Sequence, residues 1–162
     1  TVPGSINGDV HNGNDNVAVL AKTELIELYN DVASRVSSDS YPLSGNIGGM
    51  TLEPGLYTSL TGITITTGNL VLDGKGNPNG MFIFQMLTTL STAAGCNVIL
   101  INDANPENIF WQIGSTASLA AGCTMYGILM AYSSITIAAG VTINGHVYTL
   151  TGAITSTTNK ID

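Results

Sequence analysis

The feature that most constrains this chain is a recurring Ala-Ala-Gly register. Aligned on it, Thr92 to Gly95 falls beside Leu119 to Gly122 and Ile137 to Gly140, with Ile65 to Gly68 and Ser156 to Asn159 as weaker copies. The anchor glycines stand at 68, 95, 122 and 140, so the steps are 27, 27 and 18 residues, and Asn159 follows 19 later. Such periods mark a solenoid, whose coils bury their apolar faces only against one another. An 18-residue coil has three sides of about six residues each, a triangular section. The longer steps carry nine extra residues, and the polar stretches 73–80 and 103–108 supply turns where these can protrude.

Within each register the residues alternate as strands do. Ile63, Leu90, Ala117, Ile135 and Ile154 are expected to point inward, and Thr64, Ser91, Ser118, Thr136 and Thr155 outward. A second ladder follows the corner glycine: Asn97, Thr124 and Thr142 outward, with Cys96, Cys123 and Val141 inward beside Val98, Met125 and Ile143. The two cysteines share one inward column. They read as buried thiols or, if their coils are neighbours, as a disulfide, since coils about 4.8 Å apart come close to the Cα separation a bridge accepts.

Residues 1–14, rich in Gly and Asn, read as an extended lead-in. From Asp15 or Asn16, apolar residues recur at Val17, Ala21, Leu25, Leu28, Val32 and Val36, which predicts one amphipathic helix over 15–37 lying along the solenoid. Asp31 and Arg35 are one turn apart on its exposed side. Pro42 forbids continuation. The coils then occupy 45–162, and the whole chain, 1–162, is expected to form a single domain.

Only 9% of the residues are charged, against roughly 25% in an average soluble domain, so Thr, Ser, Asn and Gly must keep the surface wet. A net charge of -7 opposes binding to phosphate backbones and anionic lipid, which makes nucleic acid and membranes poor partners. No apolar run approaches the roughly 20 residues of a membrane span. No basic n-region with an apolar h-region opens the chain, so localisation rests on other grounds.

Several short motifs occur together and in order: Tyr29-Asn30-Asp31-Val32-Ala33-Ser34-Arg35, Gly48-Gly49-Met50-Thr51-Leu52 running into Pro54-Gly55-Leu56-Tyr57, Met81-Phe82-Ile83-Phe84-Gln85, Asn108-Ile109-Phe110-Trp111-Gln112-Ile113-Gly114, and Ile143-Asn144-Gly145. In these the chain resembles the microbial ice-binding proteins of the domain-of-unknown-function 3494 type. The resemblance implies a mainly β fold: a right-handed, discontinuous β-solenoid of triangular section with one long α-helix packed alongside. It also implies a secreted, monomeric, non-enzymatic protein whose partner is the ice crystal surface, with no cofactor and no metal. The family's loose Thr-Ala/Gly-x-Thr/Asn motif maps onto Thr67, Ala94, Asn97, Ala121, Thr124, Ala139, Thr142 and Thr158, the first candidate face. The ladder Thr64, Ser91, Ser118, Thr136, Thr155 is the second. The family's usual N-terminal coil of about 40 residues has no counterpart before the helix, so the chain is expected either to be a fragment or to lack that coil.

Ice offers a flat array of oxygen atoms, and stacked Thr rungs suit it: the methyl excludes disordered water while the hydroxyl donates and accepts. The same ladders would also serve merely to solvate any solenoid. Trp111 reads as a core or side-packing residue, with stacking on a sugar as the alternative. His11 and His146 have no Cys or carboxylate cluster at metal spacing. A glycan-binding or adhesin solenoid would share the Thr-rich surface but expose aromatics. A polysaccharide-degrading enzyme would need paired carboxylates with a Lys or Arg on one face, whereas the basic residues are scattered at 22, 35, 75 and 160.

Overall fold

Sixteen short strands, one α-helix and a single 3-10 turn at Pro106–Asn108, in a computed structural model that describes residues 11–13 and 15–161, wind into a three-sided coil. Sheet A contains seven parallel strands: β1 (Tyr41–Pro42), β4 (Gly55–Ser59), β7 (Phe82–Met86), β10 (Ile109–Ile113), β12 (Thr124–Ala131), β14 (Thr142–Thr149) and β16 (Lys160–Ile161). Sheet B contains six: β2 (Gly45–Asn46), β5 (Ile63–Ile65), β8 (Leu90–Thr92), β11 (Ala117–Leu119), β13 (Ile135–Ile137) and β15 (Ile154–Ser156). Sheet C contains β3 (Thr51–Leu52), β6 (Leu70–Asp73) and β9 (Val98–Ile101). The chain is a β-solenoid of six successive coils, numbered here in chain order.

The repeat lengths now have a physical origin. Coils two and three run a full strand of sheet C and then a loop, 74–81 or 102–108, before re-entering sheet A. The 18-residue coils omit both: β12 and β14 carry the chain from the third side straight into sheet A, bending at Gly127 (φ 100°) and Gly145 (φ 143°). The turn from sheet B to the third side needs a left-handed residue in each coil, which Gly68, Gly95, Gly122 and Gly140 supply with φ of 71° to 86°. In the last coil that conformation falls on Thr158 (φ 47°) and not on Asn159, one position earlier than the repeat predicts.

The interior is apolar from coil to coil. Ile63, Leu90, Ala117 and Ile135 point inward and are buried as expected, but Ile154, in the last rung, is 43% exposed because the described chain offers no further coil above it. Inside sheet A the rings of Tyr41, Tyr57, Phe84 and Trp111 stack in a column, with the Phe84 and Trp111 centroids 4.0 Å apart. Trp111 is 0% exposed and donates its indole N–H to the Tyr126 carbonyl, which places it in the core and out of reach of any sugar. Both cysteines are buried and free.

The helix α1 spans Asn16–Ser34, capped by Asp15, whose carboxylate accepts the Val17 N–H at 2.9 Å. It ends three residues before the predicted limit, and Val36 is 93% exposed. Of the expected stripe, only Val32 is buried, with Leu25 and Leu28 half-buried; Tyr29, which the periodicity did not single out, is buried beside them. They pack on Leu56, Ile83, Phe110, Ile128 and Met130 of the outer surface of sheet A. Tyr29 donates to the Ile113 carbonyl, and Gln85 donates to the carbonyls of Val32 and Arg35 at the helix end. Val17 is 53% exposed, so the first half of the helix gains little from burial. Arg35 pairs with Asp31 at 2.8 Å as expected. The predicted lead-in 1–14 falls almost wholly outside the described residues.

Candidate functional site

The three sides differ in what they show to solvent. Sheet A is covered by the helix along much of its outer surface. The third side carries bulky or charged groups: Val71 and Ile99 are in register and outward, Tyr126 follows, and the column Thr124–Thr142 ends in Lys160. Sheet B is covered by nothing described.

On sheet B the predicted ladder is real. Asn46, Thr64, Ser91, Ser118, Thr136 and Thr155 are direct register partners across all six strands, and all but Thr155 sit beside a buried inward neighbour. Two further columns flank it that the repeat alignment did not select. The strand alternation that turns Thr64 outward does the same two residues to either side. Gly62, Thr89, Thr116, Ser134 and Ala153 are stacked on one flank by bonds such as Leu90 N–H to the Thr116 carbonyl. Thr66, Ala93, Ala120, Ala138 and Thr157 make the other. Applying the period of two outward from the ladder would have found both. The surface so composed contains only Gly, Ala, Ser, Thr and one Asn.

The first candidate set does not lie on one side. Thr67, Ala94, Ala121 and Ala139 are exposed on the turn between sheet B and the third side, forming a rim of small residues. Asn97, Thr124 and Thr142 sit past the turn and are half-buried. The Asn97 amide is occupied: its oxygen accepts the Thr124 N–H at 2.7 Å and its nitrogen donates to the Gly95 carbonyl at 3.0 Å. Thr158 is an exposed turn residue in the left-handed conformation.

Elsewhere the structure joins charges that are distant in sequence. Lys75 stands 2.8 Å from Glu53 and 3.5 Å from Asp73. The Asn102 amide, donating at 2.8 Å, is the main cause holding the Asp73 carboxyl below its ordinary range, with the Lys75 backbone N–H and the Lys75 charge adding to it. A carboxyl held ionised in this way is poorly placed to act as a general acid. The cluster ties together the loops that follow β6 and β9. His146 stacks on Tyr148, and among the described residues no group of three or more His, Cys, Asp or Glu is arranged to hold a metal ion. No described helix is long and apolar enough to cross a membrane.

Comparison with known proteins agrees with this architecture. A family model described as ice-binding-like matches residues 1–162. An ice-binding protein of Nostoc sp. (strain HG1) is 38% identical over 161 residues, which cover 98% of this chain and 58% of that protein. An ice-binding protein of Colwellia sp. is 33% identical over 88% of this chain and 55% of its own length. The chain thus spans under two thirds of these relatives. Among solved structures, an ice binding protein from an Antarctic biological consortium superposes with a TM-score of 0.90 at 39% identity, covering 91% of this chain and 66% of that one. The corresponding domain of Shewanella frigidimarina ice-binding protein 1 gives a TM-score of 0.84 at 27% identity, covering 88% of this chain and 61% of that one.

Proposed function

The chain belongs to the ice-binding-like family, and from that premise we propose that it adsorbs to ice through the outer surface of sheet B. The observation that carries this reading is the uncharged array of six in-register strands bearing three columns of Gly, Ala, Ser and Thr with a single Asn. A charge would hold its own hydration shell and keep the face from the crystal; small hydroxyl and methyl groups instead leave the bound water free to match the lattice. Strands of three residues accumulate little twist along their length, which favours a flat face. The rim Thr67, Ala94, Ala121, Ala139 extends that face to the turn, while Asn97, Thr124 and Thr142 lie beyond it. The geometry therefore supports the central ladder over the motif-derived set as the primary contact.

In this reading the protein is a single, secreted, monomeric ice-binding domain that catalyses nothing and requires no cofactor. The test is microscopy of a single ice crystal growing in its solution. Faceting with a gap between melting and freezing temperatures is expected; a smooth disc growing without a gap refutes the reading.

A further inference from the structure

The junction between coils three and four differs from both its neighbours at one backbone amide, and it lies in the middle of the proposed face. At the turn between sheet B and the third side, coils two and three are joined by the Ala93 N–H donating to the Ile65 carbonyl, and coils four and five by the Ala138 N–H donating to the Leu119 carbonyl. The equivalent donor of coil four, the Ala120 N–H, goes instead to the Thr92 hydroxyl at 2.9 Å. Thr92 is buried in a column whose members in coils two, four and five are Ile65, Leu119 and Ile137. Its hydroxyl lies 3.1 Å from the Cys123 sulfur, whose thiol in turn donates to the Ala93 carbonyl. Just past the turn, the Thr124 N–H goes to the Asn97 side chain at 2.7 Å, as the Asn97 N–H goes to the Asn69 side chain at 2.9 Å one junction earlier, whereas the Thr142 N–H of the next coil goes to the backbone carbonyl of Cys123. Backbone pairing persists at this junction in the Gly95 N–H donating to Ala121. On either side of that one bond, side chains take over.

We infer that Thr92 and Asn97 are positioning residues for the ice-binding face. Neither belongs to its three columns. They hold Ser91 and Ser118 in register where the regular ladder is broken, since an amide left without an acceptor would let the two coils part at the edge of the face. The inference rests on the assignment of sheet B as the contact surface, and its test separates the two.

Asn97→Ala and Thr92→Val remove one acceptor each. Asn102→Ala is the control, because it deletes an inter-coil side-chain bond at the opposite end of the third side, between Asn102 and Asp73. Amide hydrogen exchange of the folded proteins is the first readout. The Thr124 amide in Asn97→Ala, and the Ala120 amide in Thr92→Val, are expected to exchange roughly tenfold faster, the factor that corresponds to one lost hydrogen bond. Thermal hysteresis near the freezing point is the second. Both junction variants should lose more than half of it, and Asn102→Ala should keep it while its melting temperature falls comparably. If Asn97→Ala does not fold, the near-isosteric Thr92→Val decides. Unchanged exchange overturns the clamp; faster exchange with full hysteresis, or equal loss in the control, overturns its role in positioning. A wild type that leaves ice unshaped overturns the assignment of the face, and the positioning role with it, while the exchange data still report on the bonds themselves.

Discussion

Ser118→Tyr is the perturbation that most directly tests the proposed face. Ser118 lies on β11, exposed and outward, with Ser91 and Thr136 as its register partners. Six strands at a spacing of about 4.8 Å give a ladder about 24 Å long, and Ser118 stands on the fourth rung. A tyrosine ring there rises above its Thr and Ser neighbours by more than a hydrogen-bond length of about 3 Å. A rigid face pivoting on that obstacle touches a crystal plane at one end only, so most rungs lose contact together. The fold should tolerate the change, because an exposed substitution that fills no core space usually shifts stability by less than about 0.5 kcal/mol. The expected outcome is loss of most of the thermal hysteresis with an unaltered circular dichroism spectrum and melting temperature. Thr124→Tyr, past the turn, should be milder. A folded Ser118→Tyr protein with full activity would refute the reasoning, and Thr124→Tyr as the more damaging change would return the contact to the motif-derived side.

Four further outcomes follow from the same structure. Val32→Ala, at the buried end of the helix, should cost roughly 1.5–3 kcal/mol in urea denaturation, whereas Val17→Ala, in the exposed half, should cost almost nothing; equal effects would mean that the whole helix is docked. The Asp73 carboxyl titrates lower folded than unfolded, so it contributes stability that is present above the ordinary carboxylate range near pH 4 and is lost as the pH falls through the folded value; melting curves of Asp73→Asn should show a smaller acid-induced drop than the wild type. Both buried thiols should resist a thiol reagent in the native protein and react after denaturation, and a native protein that reacts at once contradicts their burial. Ice shaping should survive exhaustive dialysis against a chelator, and loss restored by added calcium would show a metal requirement.

Much of this was legible in the residues because the signals are local. A period of two set the inward and outward rows, so Ile63, Leu90, Ala117 and Ile135 and their Thr and Ser neighbours could be assigned without any coordinate. The unequal steps between anchor glycines correctly reserved nine extra residues in each of coils two and three, although the polar stretches there point to protruding turns and the structure spends part of those residues on lengthening the third strand. The composition told in advance how little charge the surface would carry.

What the linear chain could not decide is what lies beside what. The helix stripe from Val17 to Val36 is continuous in sequence, yet only its second half meets sheet A, because docking depends on where the coils stop. Asn97 and Thr124 read as outward partners of Ala94 and Ala121, but the left-handed glycine between them turns the chain onto another side and points the Asn97 oxygen at a backbone amide. Lys75 meets Glu53, and Thr92 meets Ala120, only across stacked coils. Local alternation is written in bonds between adjacent residues; the choice of face depends on the direction of each turn and on which side the helix covers, and both are settled only when the coils pack.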